Sequence, residues 1–261
     1  MKKTFGVAGG GEKAAELVRL LREDGHTVYD GADAPEEALG ADVVIFPAPF
    51  FDADAAEDTL SRFRPGQRVF AGMIPDAVTS QARRMGLSLT DYMKCEPFVI
   101  ANAAATADAA LSLTVTRTRE TLAGKRCLVL GFGRIGKLLC HRLRGAGAEV
   151  AAAARNPDDR AWIRALGMRA LDTACLAGEL KLFPIVYNTI PAPVFDSGLL
   201  RELPPDGFLM DLASVACTDA EEASRQGITY LWARGLPGRI VPRGAAAILR
   251  DTAYQLLREL R

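Results

Sequence analysis

The stretch RCLVLGFGRIGKLLCHRLR, residues 126–144, decides the fold of this chain. It begins with an apolar run, Cys127 to Leu130, and continues through Gly131, Gly133 and Gly136 into a segment of helical period. The spacing GxGxxG between a strand and a helix gives each glycine a separate function: a tight turn, close approach of the backbone to a pyrophosphate, and close packing of helix on strand. The helix N-terminus adds free amide hydrogens for the phosphate. The sequence therefore predicts a dinucleotide-binding turn.

Short apolar runs alternate with longer segments of helical period on both sides of this turn, which indicates parallel α/β sheets. The first half predicts a flavodoxin-like unit with strands at Phe5 to Ala8, Thr27 to Tyr29, Asp42 to Phe46, Arg68 to Ala71 and Leu87 to Thr90. We expect Pro47 and Pro49 to end the third strand, because proline has no amide hydrogen to donate. The second half predicts strands at Cys127 to Leu130, Glu149 to Ala154, Pro184 to Asn188, Phe208 to Leu212 and Ile228 to Trp232.

These patterns predict two Rossmann-like, doubly wound parallel-sheet domains linked by a long helix. Residues 1–100 form a flavodoxin-like substrate domain in this prediction, and residues 121–240 form a Rossmann domain that binds NADP. The Ala- and Thr-rich residues 101–120 are the linking helix, with Asn102 or Thr106 as its cap. The apolar stripe of residues 241–261 needs a partner, so this C-terminal helix is expected to pack on the first domain.

Composition excludes several classes of function. Apolar residues make up 49% of the 261 residues and charged residues 25%, and Lys plus Arg equals Asp plus Glu at 32 each. A neutral chain predicts neither a nucleic-acid partner nor an anionic membrane partner. Five widely spaced cysteines without a CxxC pair argue against a disulfide framework and against a metal site. The N-terminal apolar stretch is too short for a signal peptide, so we expect a cytoplasmic protein.

The end of the strand after the glycine turn predicts which nicotinamide cofactor is bound. An Asp or Glu for the ribose hydroxyl of NAD is expected there, but Glu149 to Ala154 continues into Arg155 and Asn156. Arg155 is suited to pair with a 2'-phosphate, which favours NADP over NAD. A solvated surface arginine is the alternative interpretation of Arg155.

Polar residues follow the next two strands at the same sheet edge. Asn188, Thr189, Ile190 and Pro191 follow one strand, and Ser214 lies just after the other. Because parallel strands present their carboxyl ends to the nicotinamide, these residues are expected to face cofactor and substrate; ordinary loop capping is the alternative. Farther along, Arg239 or Arg243 is suited to bind a substrate carboxylate with its planar fork.

The two histidines, His26 and His141, lie where no acid–base histidine is expected. Removal of a hydride from a hydroxy acid needs a base for the alcohol proton. Oxidation of a dihydro ring makes a smaller demand, since aromaticity supplies the driving force and orientation beside the nicotinamide is enough.

Several motifs together resemble the family of dipicolinate synthase A subunits of spore-forming bacteria. They are Asp91-Tyr92, Asn102-Ala103, Thr106-Ala107-Asp108, the loop VLGFGRIG, the pairs NTIP and DLAS, and the segment ARGLPGRIVP, in the family's order and spacing. The chain departs from the family pattern at Cys95, at Ala105, which replaces a proline, and at Val215 to Cys217, which replaces a basic residue, Pro and Gly-Gly.

The resemblance implies an NADP-dependent enzyme that oxidises dihydrodipicolinate to pyridine-2,6-dicarboxylate in the cytoplasm during sporulation. The partner that the resemblance implies is the flavoprotein-like B subunit of dipicolinate synthase, and self-association into a homo-oligomer stays open. The cofactor residues are then Gly131, Gly133, Arg134, Ile135, Gly136, Arg155, Asn188, Thr189, Ile190 and Pro191. The residues expected to line the dicarboxylate site are Asn102, Thr106, Asp108, Ser214, Arg239 and Arg243, with Thr106, Asp108 and Ser214 as catalytic candidates.

Two other functions stay open at this point. One is a D-2-hydroxyacid or alanine dehydrogenase-like enzyme, which shares the two-domain layout but needs a base that the histidines do not supply. The other is a nucleotide-binding regulatory protein without catalysis of its own.

Overall fold

The computed structural model of the protein describes residues 3–49 and 56–259. The chain folds into two compact units, Met1–Asn102 with Pro237–Arg261, and Ala103–Leu236. We call them the first and the second domain. Each is built around its own parallel sheet.

The first domain contains a five-stranded parallel sheet in the order β2-β1-β3-β4-β5, the flavodoxin arrangement. Its elements are β1 Thr4–Val7, α1 Glu12–Glu23, β2 Thr27–Asp30, α2 Pro35–Leu39, β3 Val43–Pro49, α3 Ala56–Ser61, β4 Arg68–Gly72, α4 Asp76–Arg84 and β5 Ser88–Asp91. Helix α1 buries Leu17 and Leu21, one helical turn apart, against Phe5 of β1. Gly6 lets α2 approach the sheet, because a Cβ there would lie 1.8 Å from the Ala38 carbonyl oxygen.

The second domain contains a six-stranded parallel sheet in the order β11-β10-β9-β6-β7-β8. The remaining elements are α5 Glu96–Thr118, β6 Arg126–Leu130, α6 Arg134–Gly145, β7 Glu149–Ala154, α7 Pro157–Ala165, β8 Arg169–Asp172, β9 Ile185–Asn188, α8 Ser197–Glu202, β10 Phe208–Asp211, α9 Ala220–Arg225, β11 Thr229–Trp232, α10 Leu236–Ile240 and α11 Pro242–Glu259. The strand order reverses between β6 and β9, and dinucleotides bind at this switch point in Rossmann sheets.

Helix α5 links the two domains, as the fold prediction states. Near its start Phe98 packs on Tyr92 in the first domain, with ring centroids 4.7 Å apart. Near its end the Thr114 and Tyr187 hydroxyls are hydrogen-bonded at 2.8 Å within the second domain. By length and composition alone α5 would pass as a membrane span, and Ala107, Ala109 and Ala110 are among its fully buried residues.

The C-terminal helix α11 returns to the first domain, which confirms that part of the fold prediction. Leu249 and Ala253 belong to the same buried cluster as Leu17 of α1. The Tyr254 hydroxyl donates to the Asp24 carboxylate at 2.7 Å at the end of α1. The apolar stripe of α11 therefore completes the core of the first domain.

The structure corrects two local predictions. Strand β3 does not end at Phe46 but continues through Pro47 to Pro49, where its pairing with β4 shifts register after Ile45. A missing amide hydrogen is tolerated at such an irregularity. Helix α5 begins at Glu96, so Asn102 lies inside the helix and the predicted cap there is wrong.

Thr106 is a second wrong cap for the same reason. Pro97 falls in the first turn of α5, where a proline costs no helical hydrogen bond, and this allows the early start. The short elements β8, α2 and α10 escaped prediction, since four or five residues carry too little periodicity. The helical period of residues 53–63 predicts a helix from about Ala53 to Phe63; the structure has α3 at Ala56–Ser61, and residues 50–55 lie outside the described residues.

Candidate functional site

Two of the three glycines of the turn are required by packing. Gly131 has φ +93°, and a Cβ there would lie 2.3 Å from the Thr189 hydroxyl oxygen. At Gly136 a Cβ would lie 2.1 Å from the Gly131 carbonyl oxygen, which is fixed backbone. Any larger residue at either position would push the turn away from the helix or from the loop after β9.

Gly133 is different, because a Cβ there would meet no protein atom within 4 Å. Its φ of −79° and ψ of −161° are open to any residue, so neither backbone strain nor packing requires a glycine. It lies at the N-cap of α6 without a side-chain cap, so the first amide hydrogens of that helix are available to a ligand. This bare surface fits the pyrophosphate of a dinucleotide, which needs close backbone approach at this glycine.

The first turn of α6 is electropositive. It carries no acidic residue, Arg134 is exposed, and Ile135 is half-buried. The Lys137 ammonium lies 5.4 Å from the centre of the Phe132 ring and 4.0 Å from an Asp159 carboxylate oxygen. The helix dipole and these cations favour an anion here.

A groove of about 510 Å³ opens beside the glycine turn within the second domain. Its lining residues come from the ends of β6, β7, β8 and β9 and the loops that follow: Gly131, Phe132, Ala154, Arg155, Asn156, Asp159, Thr173, Ile190, Pro193 and Val194. The structure thus brings together Gly131, Arg155 and Ile190, which sequence reasoning assigned to the cofactor. Asp159, Thr173, Pro193 and Val194 were missed, because their membership depends on how neighbouring strands align.

Arg155 is exposed at the end of β7, and its side chain makes no hydrogen bond or ion pair with any residue that the structure describes. The backbone beneath it is held in place, since the Arg160 guanidinium donates to the carbonyl oxygens of Ala154 at 3.0 Å and Arg155 at 2.6 Å. Arg160 is itself paired with Asp172 at 2.9 Å. An available guanidinium on a fixed strand end is suited to bind a phosphate.

Asn188 and Thr189 turn their side chains toward the protein. Asn188 is fully buried, and its amide nitrogen donates to the Ile190 carbonyl oxygen at 2.9 Å and to Asp211 at 2.8 Å. The Thr189 hydroxyl donates to the Leu130 carbonyl oxygen at 2.9 Å. Both side chains therefore shape the loop, while Ile190 lines the groove and Pro191 is exposed beside it.

Asp211 is fully buried at the end of β10 and collects four hydrogen bonds. One carboxylate oxygen accepts from the Asn188 amide and, at 3.1 Å, from the Ala213 amide hydrogen. The other accepts from Cys217 N at 2.6 Å and from the Tyr230 hydroxyl at 3.2 Å. Burial, followed by this carboxylate, raises the pKa of the Cys217 thiol, and burial, followed by Cys217 and then Asp211, raises the pKa of the Tyr230 phenol, so both stay protonated.

The catalytic candidates Thr106, Asp108 and Ser214 all belong to the second domain. Thr106 is buried in α5. Asp108 is exposed and accepts a hydrogen bond from Arg142 Nε of α6 at 2.6 Å. Ser214 is exposed in the loop after β10. Asp108 is thus engaged in an ion pair, while the Ser214 side chain faces solvent.

The other predicted substrate residues belong to the first domain. Asn102 is half-buried in α5, Arg239 is exposed in α10, and Arg243 is exposed in the first turn of α11. The glycine turn after β1 leads to Lys13, whose pKa is lowered by burial. Sequence reasoning did not select Lys13.

The Asp91-Tyr92 motif holds the loops at the carboxyl edge of the first sheet. The Asp91 carboxylate accepts from the backbone amides of Met73 at 3.1 Å and Ile74 at 3.2 Å. The Tyr92 hydroxyl donates to the Phe46 carbonyl oxygen at 2.9 Å. Met73 is exposed with φ +59°, a strained conformation that these bonds maintain.

In the described parts of the chain, no three His, Cys, Asp or Glu side chains are placed to hold a metal ion.

Comparison with known proteins shows the family. The chain is 30% identical to the A subunit of dipicolinate synthase from Bacillus subtilis over 205 residues, which cover 78% of this chain and 69% of that protein. The structure of the corresponding dipicolinate synthase protein from Bacillus halodurans superposes with a TM-score of 0.83, at 25% identity over 98% of both chains. A transhydrogenase from Sinorhizobium meliloti shares the fold with a TM-score of 0.71, at 16% identity over 97% of this chain and 92% of that one. No family model matches the chain. By this identity and coverage, the chain belongs to the family of dipicolinate synthase A subunits.

Proposed function

We propose that this protein is the NADP-dependent oxidoreductase component that converts dihydrodipicolinate to dipicolinate. One observation carries the proposal: the bare Gly133 turn and the available Arg155 guanidinium lie at one sheet edge, with Gly131 and Arg155 lining one groove. Family membership supplies the substrate class, because the relative from Bacillus subtilis is named as part of a dipicolinate synthase.

The second domain supplies the cofactor site in this proposal. The amide hydrogens at the start of α6 bind the pyrophosphate, and Arg134 and Lys137 add positive charge beside it. Arg155 pairs with the 2'-phosphate. The apolar side chains of Ile190, Pro193 and Val194 form the opposite wall and pack on the base.

NADP is preferred over NAD because of the charges at the end of β7. Arg155 and Asn156 directly follow Ala154, so the strand end where NAD enzymes put the acidic partner of the ribose hydroxyls has no carboxylate. The groove does contain Asp159, but Lys137 lies 4.0 Å from that carboxylate and offsets it. Arg155 therefore faces the ribose with its charge available.

The substrate is a planar ring with two carboxylates, and the first domain offers cations for them. Within the first domain, Arg239 and Arg243 are the proposed partners of the carboxylates and Asn102 is a further substrate candidate. Within the second domain, Thr106, Asp108 and Ser214 are the candidates for holding the proton that leaves the ring. When bound, the nicotinamide accepts the hydride. Because the product is aromatic, the proton needs only a weak acceptor, which agrees with the absence of an acid–base histidine among the predicted site residues.

The same relationship supports a partner. The relative from Bacillus subtilis is named as one of the subunits of a synthase, which implies a second chain. We propose that a flavoprotein-like B subunit works with this protein in the cytoplasm during sporulation. A regulatory protein without catalysis is the second candidate function, since Arg142 already engages the Asp108 carboxylate.

The test is NADP reduction by the purified protein, with and without the partner protein. Dihydrodipicolinate is generated in the same vessel by its synthase, and both NADPH absorbance and dipicolinate are measured. We expect equal amounts of NADPH and dipicolinate, and slower turnover with NAD. Tight NADP binding without either product, even with the partner present, would refute the enzyme and favour the regulatory candidate. An absence of NADP binding would refute the cofactor site itself.

A further inference from the structure

The Asp211 carboxylate is a buried charge without a matching cation. It is fully buried, and no Lys, Arg or His among the described residues forms an ion pair with it. Such a group is costly to bury, and an apolar residue of similar size would pack in its place at lower cost. Its presence at the end of β10 therefore calls for an explanation beyond stability.

The groups around the Asp211 carboxylate are hydrogen-bond donors. Each carboxylate oxygen accepts a backbone amide hydrogen, one from Ala213 and the other from Cys217. The orientation of the Asn188 amide is set independently, because its oxygen accepts from Ile190 N at 3.1 Å. Its nitrogen must then face Asp211 as a donor. Both oxygens of Asp211 therefore act as acceptors toward this set of donors.

Two chains of hydrogen bonds lead from Asp211 to the apolar wall of the groove, formed by Ile190, Pro193 and Val194. In the first chain Asn188, held by Asp211, binds both the amide and the carbonyl group of Ile190. In the second, Cys217 N is held by Asp211, and the Cys217 carbonyl oxygen accepts from Val194 N at 2.9 Å. Ile190 and Val194 both line the groove, so each chain ends on its wall.

We propose that Asp211 is a positioning residue that fixes this wall at the distance a nucleotide base requires. This inference rests on the proposed function, because Arg155 identifies the groove as the site of the adenosine 2'-phosphate half of NADP. The carboxylate touches no ligand. It acts by holding the loop after β9 and the loop after β10 together at two places, through the Asn188 amide group and through Cys217 N, and it adds to the backbone bonds from Val194 and Phe195 to the Cys217 carbonyl oxygen.

The test uses adenosine 2',5'-bisphosphate, a fragment that needs only this groove. In Asp211→Asn the new side-chain amide nitrogen is a donor, and it faces groups that donate to the carboxylate in the wild-type protein. Hydrogen bonds on that side are lost, so the wall loosens. We expect the Kd of the fragment, measured by calorimetry below the unfolding transition, to rise about tenfold. Asn188→Ala removes the chain to Ile190 together with one donor to Asp211, and leaves the chain through Cys217 in place. It should raise the Kd by a smaller factor, which keeps the test valid if Asp211→Asn fails to fold.

Thr114→Val is the matched control. It breaks the buried bond to Tyr187 in the same domain, and so lowers stability without touching the groove. If Asp211 had only a structural role, Asp211→Asn and Thr114→Val would bind the fragment equally well at equal stability. That result would overturn the inference. If the wild-type protein binds the fragment and both Asp211→Asn and Asn188→Ala bind it with the same Kd, the inference is overturned and the proposed function stands. Failure of the wild-type protein to bind the fragment would overturn both.

Discussion

Replacement of Gly133 by valine separates nucleotide binding from folding. A Cβ at this position meets no protein atom within 4 Å, and the backbone conformation suits an L residue. Glycine is preferred over valine at an N-cap, and the replacement costs about 1 kcal/mol of stability for this reason. Valine also restricts the unfolded chain, which adds a similar amount of stability. We therefore expect the free energy of unfolding to change by no more than about 1 kcal/mol.

The expected effect on binding is much larger, because the valine side chain would occupy the space proposed for the pyrophosphate. A charge-assisted hydrogen bond contributes about 1.5–3 kcal/mol, so each one lost raises the Kd roughly 10- to 100-fold. With two or more bonds lost, NADP binding should become undetectable at a ligand concentration of about 1 mM. Calorimetric titration with NADP and urea unfolding of the same preparation measure the two effects.

Gly136→Val is the informative comparison. Its Cβ would lie 2.1 Å from the Gly131 carbonyl oxygen, so the variant must move backbone and should lose about 1–3 kcal/mol or more of stability. A folded Gly133→Val protein that binds NADP as tightly as wild type would refute the assignment of this turn to the pyrophosphate. If Gly133→Val loses as much stability as Gly136→Val, the surroundings of Gly133 are not open and the reasoning is refuted.

Three further predictions use other parts of the structure. Arg155→Asp should raise the Kd for NADP about 10- to 100-fold and leave that for NAD nearly unchanged, because only the 2'-phosphate pairing is lost; equal losses in parallel titrations would remove Arg155 from the phosphate site. Met73→Gly should raise the free energy of unfolding by about 1 kcal/mol, because relief of the strain at φ +59°, about 1–3 kcal/mol, exceeds the cost of about 0.4–1 kcal/mol that glycine adds through the freer unfolded chain. A lower urea midpoint than that of the wild type would show that Met73 is unstrained. Burial raises the pKa of the Cys127 thiol to about 12 from an ordinary 9.0. The contribution of this thiol to the free energy of unfolding is therefore complete below pH 9 and is lost as the pH rises toward 12, because the unfolded chain loses the proton first. Unfolding midpoints across this range should fall less steeply in Cys127→Ala than in the wild type.

The sequence by itself determined the features that depend on neighbouring residues. The turn from Leu130 through Gly133 into α6 was predictable because its residues act within one strand–turn–helix unit. The apolar stripe of α11 predicted its return to a core, since a helix with one apolar face must bury it. Arg155 was also found this way, because its place at the end of β7 follows from counting along the strand.

Only the tertiary structure decided which way side chains at the strand ends face. Asn188 looks from the sequence like a residue for the cofactor, yet β10 brings Asp211 beside it and turns its amide inward. Val194 joins the groove because a bond from a distant segment, at Cys217, holds its backbone there. These positions depend on the pairing of strands more than 20 residues apart, and local periodicity carries no information about such pairing. The chemistry of the glycine turn is thus a local property of the chain, while the shape of the groove beside it is a property of the whole sheet.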